Sequence, residues 1–483
     1  MISVLRVAII TILTLVVAGL LFVAARVLMP AQMGDAVHLQ LKRDYLATVA
    51  GEVDTEARRP NLVVILFDDL GYGDLSSYGS RAIRTPNLDS LAADGLRFSH
   101  GYSPSPYCSA SRAGLLTGRH PARMGLDHVL QPAGTWKDVL LRIGARNRLL
   151  PEEEIVLSEV LDASGYSTAL VGKWHLGDRA PSLPNTRGFQ SFYGLVYSND
   201  QGEPSVWRDQ EIVEEHPIDQ SRLTQRYTEQ SVAFLEGQTA ERPFFLLVSH
   251  TFPHVPLSAS ERFKGSSDGG LYGDVVEELD GSVGLIVDTL DRLDLAKDTL
   301  ILVTSDNGPW FQGSSGGLRG RKMDLFEGGM RVPFLVSWPG TIEQNLTIES
   351  LVSGLDLFPT FLELAEIPLP TDRKYDGVSQ AELLRTGRGK PRDSILYSQI
   401  RQFHAWRRGR YKYHAERMIP YGNPMAWRLG LSVRKGPWLF DLETDPDESY
   451  DISTKAPEVT QQLATELSTF VKDWQQNPRG WLP

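Results

Sequence analysis

The chain of 483 residues contains one cysteine, Cys108, so it forms no internal disulfide. Its fold must therefore rest on a packed core rather than on covalent staples. The sequence shows no internal repeat and no long low-complexity tract, which speaks against a solenoid or a disordered scaffold. Positive charge is in deficit, with 49 Lys and Arg against 60 Asp and Glu and a net charge of −11. That balance argues against nucleic acid as a general partner and leaves room for a local basic pocket that reads a small anion. No cysteine lies near the start, which excludes a lipid-anchored cysteine there. What is present is ordinary for a globular protein, with 41% hydrophobic and 23% charged residues. The length suits one large domain with a smaller companion.

The N-terminus is less ordinary. Residues 7–25 carry no charge and lie between Arg6 and Arg26. Such a run approaches the ~20 residues of a membrane span and exceeds the ~7–15 residues of a signal-peptide core. The expectation is a signal anchor over residues 1–28, with a cleaved signal peptide as the alternative, since small residues occur at Ala24, Ala25, Ala31 and Ala36. A membrane is then an expected partner. The expected location is exported and membrane-anchored on a periplasmic or extracytoplasmic face, or secreted if the segment is cleaved. An exported chain without disulfides suits a bacterial periplasm. Residues 29–59 are polar and weakly periodic and read as a linker or a surface helix.

The chemistry concentrates where apolar runs stop. Residues 61–67 (NLVVILF) read as a strand buried on both faces and end in Asp68-Asp69. Adjacent carboxylates at the end of a buried strand are costly unless paired or bound to a cation. Residues 299–304 run into Ser305-Asp306-Asn307, and residues 244–248 into Ser249-His250 and on to His254. Residues 168–172 deliver Lys173-Trp174-His175. In open α/β sheets the ligand site lies beyond the carboxyl ends of the strands, so these four ends should converge. Helical patterns over 87–96, 157–163 and 274–293 separate the strands and predict an α/β fold with a largely parallel sheet. After about residue 391 short strands and a final helix over 457–474 indicate a small antiparallel α+β unit. The domains expected are therefore 60–390 and 391–483. Cys108 itself heads a short helical segment that Gly118 should close, and a helix N-terminus is a seat for an anion.

These motifs, in this order, resemble the sulfatases of the alkaline-phosphatase-like superfamily, of the arylsulfatase A type. The likeness runs from about residue 60 to the C-terminus. Cys108-Ser109-Ala110-Ser111-Arg112, followed by Leu116-Thr117-Gly118-Arg119, matches the segment in which that family oxidises cysteine to formylglycine (3-oxoalanine). Ala110 stands where most cysteine-type members carry proline. The resemblance implies a sandwich with a large central sheet, and a sulfuric ester hydrolase acting on a sulfated small molecule or glycan. It also implies a maturase that converts Cys108. A divalent cation, calcium with magnesium as the alternative, would be held by Asp68, Asp69, Asp306, Asn307 and the modified Cys108. Hard cations prefer such oxygen donors.

The remaining roles follow from the same resemblance. Hydrated formylglycine at position 108 would attack sulfur. Arg112, Lys173 and Lys322 would neutralise the sulfuryl oxygens. His254, or Lys322, would protonate the leaving alcohol, and His175 would take a proton in the step that releases sulfate. Lys173, His254, Lys322 and Ser198 would contact the substrate. Two other readings stand beside this one: a phosphate or phosphonate ester hydrolase of the same superfamily, and a non-catalytic binder of sulfated glycans if Cys108 stays a thiol.

Overall fold

The computed structural model describes residues 2–28, 34–52, 58–143, 147–389, 392–399, 402–418 and 433–482. Strand β1 (Asn61–Phe67) is buried along its whole length. Its alternate residues feed two cores: Leu62, Val64 and Leu66 pack with Leu170, Leu247 and Leu302 on one face. Val63, Ile65 and Phe67 pack with Val171, Val248 and Val303 on the other. The two-residue period of an extended chain thus puts an apolar layer on each side of the sheet.

The next strands are β2 (Gly95–Tyr102), β3 (Ser167–Lys173), β4 (Ser191–Leu195), β5 (Val206–Arg208) and β6 (Glu211–Glu214). They are followed by β7 (Phe244–Ser249), β8 (Thr299–Ser305), β9 (Phe334–Ser337) and β10 (Leu346–Ser353). Together they form a ten-stranded sheet in the order β10-β2-β9-β8-β1-β7-β3-β4-β5-β6. Its centre, β8-β1-β7-β3-β4, is parallel throughout. β9 runs antiparallel between β2 and β8, and β5 and β6 form an antiparallel edge. The expected α/β sheet is borne out. The helix Gly270–Arg292 buries Leu279, Val283, Ile286 and Leu290 before the chain enters β8.

One boundary differs from expectation. The pattern over 87–96 predicts helix to its end, but the helix is Pro86–Ala93 and Gly95 already opens β2. A Cβ at Gly95 would lie 2.1 Å from the Val336 carbonyl oxygen. Glycine is what lets β2 pair with β9 there, and pairing overrides the local helical period.

A second sheet takes β11 (Ser394–Gln399), β12 (Gln402–Arg408), β13 (Tyr411–Met418) and β14 (Val433–Asp441) in sequence order, all antiparallel. Leu463 and Leu467 of the helix Pro457–Gln476 join Tyr413 and Leu439 in its core. This is the smaller C-terminal unit that the texture after residue 391 indicates. The division at 390 and 391 falls outside the described residues.

The membrane expectation is corrected. The chain forms a helix over Ile2–Leu28, yet among the described residues no helix is long and apolar enough to cross a membrane. The membrane as partner, and the anchored location drawn from it, fall with this finding. Within 29–59, residues 29–33 and 53–57 lie outside the described residues, while Ala36–Gly51 is a helix capped by Asp35. Its Lys42 is buried, with Nζ 2.6 Å from Glu159 Oε1. That segment docks on the body of the protein.

Candidate active site

Register fixes where the strand ends meet. Phe67 pairs with Ser305, Leu66 with Ser249, and Gly172 with Ser249. The residues that follow, Asp68, Asp306, His250 and Lys173, therefore leave the sheet along one edge, where ligand sites of parallel sheets lie. Gly172 has φ 115°, and a Cβ there would meet the Ser249 carbonyl oxygen at 1.9 Å. Only glycine lets β3 approach β7 this closely just before Lys173. Three non-glycine residues in this region hold left-handed backbone: Asp69 (φ 66°), His175 (φ 63°) and Met323 (φ 74°). Such residues cost about 1–3 kcal/mol each and persist where the surroundings over-determine them.

Cys108 opens the helix Cys108–Thr117, whose ten residues are all buried and which Gly118 closes at φ 65°. Around it, opposite charges interleave. Lys322 Nζ lies 3.0 Å from Cys108 Sγ and 2.7 Å from Asp69 Oδ1. Lys173 Nζ donates to Asp68 and, at 3.1 Å, to Ser198 Oγ. Arg112 reaches Asp306 Oδ2 through Nε at 2.9 Å, with its NH2 3.6 Å from Asp68 Oδ2. Asn307 Nδ2 donates to Asp69 Oδ1 at 2.7 Å, and the Asp69 amide donates to Asp306 Oδ1 at 3.2 Å. His254 points Nε2 at Asp69 Oδ2, 3.8 Å away, while its Nδ1 lies 2.5 Å from the Val255 carbonyl oxygen.

Burial and charge set the protonation states. Burial pushes the Cys108 thiol up to about 12, against the opposing pull of Lys173 and Lys322. A neutral thiol is a weak nucleophile. Burial would also raise Asp68, but Lys173, His254, Arg112 and Lys322 outweigh it and hold that carboxyl well below the usual range. Burial, reinforced by Asp68, raises Asp306. His175 is held well below its ordinary value by burial and by Lys173 and Arg112, so its imidazole is neutral. Its Nε2 lies 3.3 Å from the Leu130 carbonyl oxygen, and its buried Nδ1 has no partner.

A divalent cation fits this donor set. One ligand atom each from Asp68, Asp69, Cys108 and His254 lie within 4.8 Å of one another, all four residues buried. Asp68 Oδ1 and Asn307 Oδ1 are buried acceptors without a donor. Buried oxygens in that state call for a cation or a hydrogen-bond donor.

The fold thus brings together Asp68, Asp69, Cys108, Arg112, Lys173, Ser198, His254, Asp306, Asn307 and Lys322. It places His175 one step out, its ring at 5.7 Å from that of Tyr197. Asp306 stands behind Arg112, outside the tightest four-residue cluster. His250 turns away: it stacks on Phe67 at 5.7 Å and faces Ser282 Oγ. Sequence reasoning missed Ser249, whose Oγ accepts from Arg112 at 2.5 Å and donates to the Lys173 carbonyl at 2.7 Å. A hydroxyl closing an apolar strand was the available signal. It also missed Gln399, which reaches in from β11 to Tyr107 and Met323. Nothing in its local sequence marks it.

The chain is similar to known proteins. The family described as "Sulfatase" matches residues 60–367. That described as "N-sulphoglucosamine sulphohydrolase, C-terminal" matches residues 321–475. Arylsulfatase A of Homo sapiens is 38% identical over 84% of this chain and 87% of its own. N-acetylgalactosamine-6-sulfatase of Homo sapiens is 35% identical over 86% of each. The crystal structure of the PsFucS1 sulfatase from Pseudoalteromonas sp. superposes with a TM-score of 0.77 at 27% identity, covering 92% of this chain and 96% of the other.

Proposed function

The chain belongs to the sulfatase family, and from that premise we propose that it hydrolyses glycan sulfate monoesters through a formylglycine made from Cys108 beside a calcium ion. The observation that carries this reading is the seat of Cys108. It sits at a buried helix N-terminus, with Lys322 on its sulfur and two orphaned acceptor oxygens, Asp68 Oδ1 and Asn307 Oδ1, in the same pocket. Sugar substrates are the chemistry named for one relative, the N-acetylgalactosamine-6-sulfatase.

Asp68, Asp69, Asp306, Asn307 and the modified residue 108 would hold the metal, with magnesium the alternative. When present, the formylglycine supplies the oxygen nucleophile and the metal supplies Lewis-acid charge stabilisation. The rest is done by the chain's own side chains. Arg112, Lys173 and Lys322 bring three fixed cations to the place where negative charge grows on the sulfuryl oxygens. They are anchored beforehand, Arg112 by Asp306 and Ser249, Lys173 by Asp68 and Ser198, Lys322 by Asp69. Little reorganisation is left for the moment of reaction.

His254 presents Nε2 toward the cluster with Nδ1–H held by the Val255 carbonyl, and once protonated at Nε2 it would serve as proton donor to the leaving oxygen. His175, neutral and with Nδ1 bare, is built to take a proton. Ser198 keeps Lys173 aimed and touches the substrate. Burial of Cys108 among these cations also disfavours a role as a mere glycan binder, for which an exposed groove would suffice.

The test is a pair of rates on 4-nitrophenyl sulfate and 4-nitrophenyl phosphate with the mature enzyme. The sulfate should be hydrolysed with the higher kcat/KM. Preference for the phosphate would replace the sulfatase reading with a phosphohydrolase one.

A further inference from the structure

Two donors meet at the carbonyl of Leu130. His175 Nε2 lies 3.3 Å from that oxygen, and Gln201 Nε2 donates to it at 3.0 Å. A carbonyl oxygen only accepts, so the His175 nitrogen that faces it carries the proton. The other ring nitrogen, Nδ1, is buried and has no hydrogen-bond partner among the described residues. Neutral His175 is therefore the Nε2–H tautomer, with its lone pair on Nδ1. A base takes a proton only at its bare nitrogen. The bond to Leu130 thus decides which atom of His175 can act.

That bond is a weak hold by itself, since about 2.7–3.2 Å is usual for N–H···O. Gln201 supplies the firmer one. Its side chain is buried, and both ends of its amide are used: Nε2 on Leu130, and Oε1 accepting from the Ser198 amide at 3.2 Å. Both bonds require the same orientation of the amide, which fixes it. Ser198 in turn receives Lys173 Nζ on its hydroxyl at 3.1 Å. From the other side, the Leu130 amide donates at 3.0 Å to Oγ of Ser109, the residue after Cys108. Gln201 therefore ties the loop of Ser198 to the acceptor of His175 and, through Leu130, to the helix that Cys108 opens.

We propose that Gln201 is a positioning residue for the proton transfer that releases sulfate: it holds the Leu130 carbonyl against His175 Nε2–H, so that the proton is taken at Nδ1. Once Nδ1 is protonated the ring is a cation, and its Nε2–H bond to the same carbonyl becomes charge-assisted and stronger. The inference rests on the sulfate-ester reading and on the role given there to His175, and it adds the residue that fixes the reactive atom.

The experiment reads the His175 ring by ¹⁵N NMR of histidine-labelled protein without substrate, its signals assigned by their loss in His175→Asn. The wild type should show a neutral ring protonated at Nε2. Gln201→Met fills the same space and makes neither bond. It should move the signals toward the Nδ1–H form or an average of the two tautomers, and lower kcat for 4-nitrophenyl sulfate by about 10²-fold, the scale of a misplaced catalytic group. Gln201→Glu, read in alkaline buffer so that the carboxyl is ionised, keeps the acceptor for Ser198 and gives Leu130 no donor. It should move the signals in the same direction. A wild-type ring protonated at Nδ1, or signals that stay in place in both variants, would overturn the proposal. So would an effect that runs through Ser198 alone, which would raise KM in Gln201→Met and leave Gln201→Glu and the His175 signals as in the wild type. The signals do not depend on turnover, so their failure is told apart from that of the sulfate-ester reading. That reading falls if the wild type does not hydrolyse the sulfate, and the step assigned to His175 falls with it.

Discussion

Two buried charge clusters of this protein are finished differently. At the junction of the two sheets, Glu327 receives the Tyr102 hydroxyl at 2.5 Å, the Tyr397 hydroxyl at 2.7 Å and Lys412 Nζ at 3.0 Å. Glu448 receives His414 Nε2 at 2.7 Å and the Glu327 amide at 2.7 Å, and sits 3.2 Å from Lys412. None of these side chains has an orphaned polar atom. In the catalytic cluster, by contrast, Asp68 Oδ1 and Asn307 Oδ1 stay unpaired. Orphans also occur at Glu154 and Arg119, but those face each other as opposite charges at 3.2 Å. At the catalytic site the orphans include two acceptors in one pocket, a pattern that a cation resolves. A closed network holds structure; an open one is reserved for a ligand.

The contrast breaks most sharply at Cys108. Cys108→Ala should lower kcat by at least about 10⁴-fold, the scale of losing a nucleophile, while the thermal midpoint stays within a few degrees. Wild-type turnover in that variant would dissolve the distinction between the two clusters. Glu327→Gln should do the reverse. Removing one partner of a buried ionic network costs about 3–5 kcal/mol of stability, read in denaturant unfolding, with kcat of the folded fraction nearly unchanged. A large fall in kcat without loss of stability would place Glu327 in the machinery.

Next in size, Asp68→Asn should lower kcat/KM by roughly 10²–10³-fold, the scale of one lost charge-stabilising group. Added calcium should raise the thermal midpoint of the wild type by binding the native state, and leave that of the variant where it was. An equal calcium response in both would remove Asp68 from the metal site.

The smallest effect is one of pH. Glu327 lies below its ordinary value of 4.5 because Lys412 and Arg407 outweigh the effect of burial. Burial lowers His414 from 6.5 to about 4. In both cases the unfolded chain binds protons before the folded one as pH falls. Their contribution is therefore complete above about 6.5 and is lost progressively in acid. The thermal midpoint should fall between pH 7 and pH 5 through His414 and further below about pH 4.5 through Glu327, the second part less so in Glu327→Gln. A midpoint that rises in acid would contradict the network's assigned state.

Much of the catalytic cluster was legible in sequence because each of its groups closes an apolar strand or sits in a short motif. Asp68, Asp306 and Lys173 announce themselves as charges that interrupt buried runs, and the parallel register then brings them to one edge. The junction was illegible for the opposite reason. Glu327, Lys412 and Glu448 are far apart in the chain and meet only once the second sheet has docked. Gln399 and Ser249 are of the same kind, polar residues at strand ends whose partners come from other loops. β2 was missed because Gly95 looks like a helix residue until β9 is placed beside it. The N-terminal run misled because its lack of charge matched a membrane span, which the described helices do not provide.

The proposed mechanism requires that residue 108 is no longer cysteine when the enzyme works. Peptide mass spectrometry of the active protein over residues 108–112 measures this directly. The predicted result is the mass of the formylglycine aldehyde in most of the peptide, rising with specific activity across preparations. A fully active enzyme whose peptide carries only the unmodified Cys108 thiol would contradict it.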